Sequence, residues 1–121
     1  MSQTLTSTSP DIAARQQCEV SSTSGAIGIK SGVELITLAG IAALTLAAPV
    51  AGQDDGKELK VISTTANAHT ITTPASGING AYHVFTFAGY IGNSVSFTAY
   101  NGIWWVGTTS SGTASAAGTL S

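Results

Sequence analysis

Residues 94–107 read SVSFTAYNGIWWVG, and this stretch decides the fold class. Asn101-Gly102 is the pair that tolerates positive φ at both central positions of a type I′ turn, whose twist matches the two strands of a hairpin. On the strand before it, Val95, Phe97 and Ala99 fall on one face, and Ser96, Thr98 and Tyr100 on the other. After the turn, Trp104 and Trp105 are adjacent and must therefore point to opposite faces. One is expected in the core and the other on an exposed or partner-facing surface.

Working outward, the same period of two recurs back to Val33. Strands are expected at residues 33–39, 42–47, 58–64, 69–73, 81–88, 94–100 and 103–108. Loop chemistry separates them. PVAGQDDG (49–56) and TPASGING (73–80) carry the Pro, Gly, Asn and Asp that tight turns require. Short strands with turns at close spacing predict an all-β chain, an antiparallel β-sandwich or a jelly-roll-like barrel. The uncharged run Leu35–Gln53 is long enough to cross a bilayer. Thr37, Gly40, Thr45 and Pro49 interrupt it, and Leu44 and Leu46 alternate about Thr45, so it reads as two strands and no membrane partner is expected.

At 121 residues the chain suits one domain. Lys and Arg together number 4 and Asp and Glu 6, so charged residues are 8% of the whole, against roughly a quarter in ordinary soluble domains. Ser, Thr, Ala and Gly replace them. A skin of hydroxyls and methyl groups is easily desolvated, and charge is likewise depleted at interface cores. The composition thus favours a protein that works in contact with others. The net charge of −2 provides no basic footprint for nucleic acid.

Residues 1–32 are rich in Ser, Thr and Gln and poor in large apolar side chains. They are expected to form an extended N-terminal arm that gains order by lying on a partner, because such a segment cannot repay its ordering entropy alone. A short helical turn is expected at Asp11–Cys18, capped by Ser9 with Pro10 first in the helix. Ile12, Ile27 and Ile29 are the arm's candidate partner contacts. The sandwich then spans 33–109, and 110–121 is a small-residue tail. The first residues lack the basic start and apolar stretch of a secretory signal.

Templates for chemistry fail one after another. GAIGIKS (25–31) only mimics a phosphate loop, because its lysine does not follow the glycine directly. No nucleophile elbow, zinc motif or calcium loop occurs, and the lone Cys18 has no sequence partner for a disulfide or a catalytic thiol. His69 and His83 lie on different expected strands. They offer a metal site with Asp54 or Asp55 only if the fold gathers them; otherwise they are ordinary strand residues. Asp54-Asp55-Gly56 reads first as a turn and second as a cation loop. No enzyme and no cofactor is expected. The aromatics all lie in the C-terminal half; Tyr90, Tyr100, Trp104 and Trp105 are the candidates for a partner contact or a sugar platform.

Taken in order, Leu44-Thr45-Leu46, PVAGQDDGK (49–57), Leu59-Lys60-Val61-Ile62, His69-Thr70-Ile71-Thr72, Gly92-Asn93-Ser94-Val95 and NGIWW (101–105) resemble a module of tailed-phage head-decoration, head-fibre and tail-fibre proteins. The resemblance covers residues 36–107. It implies a β-sandwich, commonly a homotrimer, without catalysis. With an arm, one module and a short tail, the chain is most similar to a capsid decoration, or cement, protein. Its partner would be the major capsid protein, its place the capsid exterior of a virion assembled in the host cytoplasm, and residues 1–32 the attachment. The other member of that resemblance is a fibre tip that binds host-surface glycan.

Overall fold

A computed structural model describes residues 17–107 and 119–121 of the chain. Ten strands follow in order: β1 (Gln17–Ser21), β2 (Gly25–Ile27), β3 (Gly32–Ile36), β4 (Ala43–Leu46), β5 (Glu58–Ser63), β6 (Thr70–Thr72), β7 (Val84–Thr86), β8 (Ser94–Tyr100), β9 (Ile103–Trp105) and β10 (Thr119–Leu120). They form two five-stranded sheets, β1-β3-β5-β8-β9 and β10-β7-β6-β4-β2, with no helix among the described residues. The chain is an all-β sandwich.

Alternation builds both sheets. Along β5, Leu59, Val61 and Ser63 are buried while Glu58 and Lys60 face out. Along β8, Val95, Phe97 and Ala99 are buried, as the period of two requires. The core between the sheets joins these to Ile36, Leu44, Leu46, Ile71, Phe85, Phe87 and Trp104. Edge-on aromatic pairs fix its centre: Phe85 with Phe87 at 5.0 Å between ring centroids and Phe97 with Trp104 at 6.1 Å. At the hairpin Asn101 and Gly102 have φ of 53° and 80°, the positive values their dipeptide predicts.

The pairing is not purely antiparallel. β1, β3 and β5 run parallel, as do β2, β4 and β6; β8 then pairs antiparallel with β5 and β9, and β7 with β6 and β10. From Gln17 to Thr72 the chain lays successive strands alternately in the two sheets. Each strand therefore pairs with the one two places on, and the result is three stacked coils, β1–β2, β3–β4 and β5–β6. The strand in the opposite sheet serves as the crossover that parallel pairing needs. A sequence marks where a strand turns, not which sheet receives the next one. Antiparallel strands then close one side of the stack. At Gly32 the coils approach so closely that a Cβ would lie 2.0 Å from the carbonyl oxygen of Gln17.

Two strands lie where the arm was expected. β1 and β2 belong to the sheets, so residues 17–32 are coil and not arm, because Val20 and Ile27 continue rows begun by Leu35 and Leu46. Gln17 and Cys18 are strand; the rest of the expected helical turn, Ile12 and the remainder of the arm lie outside the described residues. Thr119–Leu120, expected in the tail, pairs with β7.

Candidate interaction surfaces

The loops fall at two ends of the sandwich. The hairpin end holds loops 47–57, 73–83 and 101–102; the far end holds loops 37–42, 64–69 and 87–93. This arrangement separates the candidate groups. His69 sits at the far end, fully buried, whereas His83 is exposed at the hairpin end with Asp54 and Asp55.

The His69, Asp54 and Asp55 side chains each have local employment. His69 Nδ1 accepts the Ala42 N–H at 3.0 Å, and its Nε2 lies 3.0 Å from Thr65 Oγ1, which donates to the Leu38 carbonyl at 2.8 Å. Only a neutral ring with the proton on Nε2 satisfies that chain, and burial pushes the His69 pKa below its usual 6.5. Asp54 accepts the Val50 N–H at 2.7 Å and pairs with Lys57 at 2.9 Å, and this backbone bond, then Lys57, hold its carboxyl below the usual value. Asp55 accepts the Asn101 N–H at 2.8 Å, which ties the loop to the hairpin. Among the described residues no three His, Cys, Asp or Glu side chains come together to hold a metal ion. The mimic of a phosphate loop is equally committed: Lys30 is buried between Glu34 at 2.6 Å and Glu19 at 3.0 Å.

The aromatic candidates divide too. Trp104 is 0% exposed and its Nε1 donates to the Ala47 carbonyl at 2.8 Å, so it is core and touches no partner. Trp105 is 43% exposed on the outer face of the first sheet, near Tyr100, whose carbonyl accepts the Trp105 Nε1–H at 3.2 Å. Tyr90 is exposed at the far end, away from that pair. A platform of all four rings is therefore not assembled; Tyr100 and Trp105 alone are neighbours. Ile27 is buried in the core and Ile29 packs against it, so neither is offered to a partner.

What remains open is the pair of sheet faces. On the second sheet the outward residues are Ala26, Ala43, Thr45, Thr70, Thr72, Val84, Thr86 and Thr119, given by the register with the buried Leu44, Ile71 and Phe85. None is ionisable. Among the described residues the outer face of the first sheet carries Glu58 and Lys60 as its only charges, beside Val20, Val33, Leu35 and Ile62. Sequence reasoning found the shortage of charge but could not place it; the side-chain alternation and the pairing register do. Comparison with family models found no match, and comparisons with curated proteins and with solved structures found none either.

Proposed function

We propose that this chain is a structural virion protein, a capsid decoration protein that docks on the major capsid lattice and stabilises it. The observation that carries this reading is the charge-free threonine and alanine face of the second sheet. Desolvating such a face costs little, and its flat array of methyl and hydroxyl groups suits many weak contacts. Repeated by symmetry around a shell, contacts of that kind gain strength through effective concentration. Self-association as a homotrimer belongs to the same proposal. The order of motifs from Leu44 to Trp105 supports it by resemblance.

The test is addition of purified protein to undecorated shells of a tailed phage, read by sedimentation. Thr45→Lys with Thr72→Lys places two cations on the outer face of the second sheet without touching the core. Binding should fall at least about tenfold, since a charge buried in an interface without a partner is strongly unfavourable. Full decoration by the doubly substituted protein would refute the reading.

One observation favours a second reading, a fibre-tip module that binds glycan: Tyr100 and Trp105 are exposed side by side. Trp105→Ala then abolishes binding to host-surface glycan with assembly intact. Under the decoration reading it leaves cell and glycan binding unaffected because there is none.

A further inference from the structure

Two Asn-Gly pairs stand in this chain, Asn79-Gly80 and Asn101-Gly102, and the fold gives them nearly the same backbone. Asn79 and Gly80 have φ of 55° and 71°, Asn101 and Gly102 of 53° and 80°. Their side chains are held differently. Asn79 is half-buried and clamped: its Oδ1 accepts the Val106 N–H at 2.8 Å and its Nδ2 donates to the Val106 carbonyl at 3.0 Å. Asn101 is exposed, and its carboxamide bonds to no described residue. Its backbone N–H donates to Asp55 Oδ1 at 2.8 Å.

An asparagine followed by glycine carries a reaction within itself. The backbone nitrogen of the glycine can close a succinimide ring on the asparagine Cγ, and without a Cβ the glycine does not shield that nitrogen. Ring closure needs the carboxamide to rotate onto the nitrogen. A side chain that holds hydrogen bonds at both ends must break them first, and a free, exposed one need not. The Gly102 N–H, moreover, has no acceptor among the described residues. The related pair Asp55-Gly56 is closed to this chemistry: the Gly56 N–H donates to the Ala99 carbonyl at 2.8 Å, and Asp55 Oδ1 is held by the Asn101 N–H.

We propose that Asn101 is a site of spontaneous deamidation, which the fold permits here and withholds from Asn79. The Gly102 nitrogen, its proton lost to solvent base, attacks Asn101 Cγ. The N–Cγ bond forms, the Cγ–Nδ2 bond breaks, and Nδ2 leaves as ammonia with a proton from solvent. The succinimide then takes up water. Opening at Cγ gives aspartate at position 101, and opening at the backbone carbonyl carbon gives isoaspartate. Either product adds a negative charge to a chain of net charge −2, beside the Asp55 carboxylate that ties loop to hairpin. Isoaspartate also inserts a methylene into the backbone between Tyr100 and Ile103, which pair across the turn. The Tyr100 carbonyl receives the Trp105 indole N–H at 3.2 Å, so the modification reaches the exposed pair of rings. That surface ages by this route whatever partner it meets.

Incubation of the full chain in mildly alkaline buffer, followed by peptide mapping with mass spectrometry, tests this. The peptide holding Asn101 should gain about 1 Da at least about tenfold faster than the one holding Asn79, whose reaction waits on the loss of two hydrogen bonds. The rate at Asn101 should rise with pH, because the attacking nitrogen must be deprotonated. In urea the two rates should converge within about twofold, since both pairs are then the same dipeptide in an open chain. Equal rates in the native protein, faster change at Asn79, or an Asn101 that reacts in urea but not in the folded chain would overturn the proposal. In the isoaspartyl form, separated by ion exchange, the Trp105 Nε1–H resonance should move while that of Trp104, bonded to Ala47 in the core, stays in place. A Trp105 signal that does not move overturns the link to that surface.

Discussion

At the scale of single residues, two adjacent tryptophans have opposite lives. Trp104 fills the core against Phe97, and Trp104→Ala should cost about 3–5 kcal/mol in urea unfolding, the range for emptying a large aromatic site. Trp105→Ala should change stability by no more than about 0.5 kcal/mol, because its ring is on the surface. That the two point apart is legible in their adjacency; which one is inside depends on the register Ala99↔Trp104, and that is tertiary. His69 gives the pH dependence. Its folded pKa lies below the unfolded 6.5, so the unfolded chain binds more protons in that window. Stability is complete above pH 6.5 and falls as pH drops towards the folded pKa. Thermal unfolding should show a lower midpoint at pH 5.5 than at pH 7.5, and His69→Gln should flatten the difference. The sequence offered His69 as a strand residue or a ligand. Only burial beside Ala42 and Thr65 makes it a neutral structural clasp.

At the scale of elements, local chemistry was a good guide wherever neighbours in sequence are neighbours in space. The hairpin at Asn101-Gly102 joins strands that pair directly, so a dipeptide sufficed to place it. Strand β8 has the bounds its alternation predicts, and β5 ends one residue early. The faint strands were lost. β1 reads QCEVS, whose buried-side positions hold Gln17, Glu19 and Ser21 in place of apolar residues, so no hydrophobic alternation announces it. The polar positions make sense only once Lys30 and Glu34 are seen between the sheets. That pair has a consequence. Lys30→Met alone leaves the buried Glu34 carboxylate without its cation and should cost about 3–5 kcal/mol in chemical denaturation, whereas Glu34→Leu costs less because Lys30 keeps Glu19 at 3.0 Å. Lys30→Met with Glu34→Leu should cost less than Lys30→Met alone, since it removes both buried charges.

For the whole molecule, the shortage of charge is a statement about surface. The other described Asp, Glu and Lys side chains are spent in the Glu19–Lys30–Glu34 ladder and in the loop of Asp54, Asp55 and Lys57, which leaves Glu58 and Lys60 as the charged pair on the sheet faces. A face without charges is what an assembly contact needs, and the decoration reading rests there. Coil stacking can also be tested globally. Gly32→Ala drives a methyl group into the Gln17 backbone and should part the first coil from the second, lowering the thermal midpoint while the β8–β9 hairpin keeps its shape by NMR.

By itself the sequence determined the strand positions from Val33 to Trp105, the hairpin and the depletion of charge, because these follow from side-chain alternation, turn stereochemistry and composition. Tertiary structure alone decided that strands coil between two sheets before they fold back, that Trp104 is the inner ring, and that residues 17–31 are a coil. The reason is that parallel pairing joins residues fifteen to twenty-seven positions apart, a spacing no local pattern encodes.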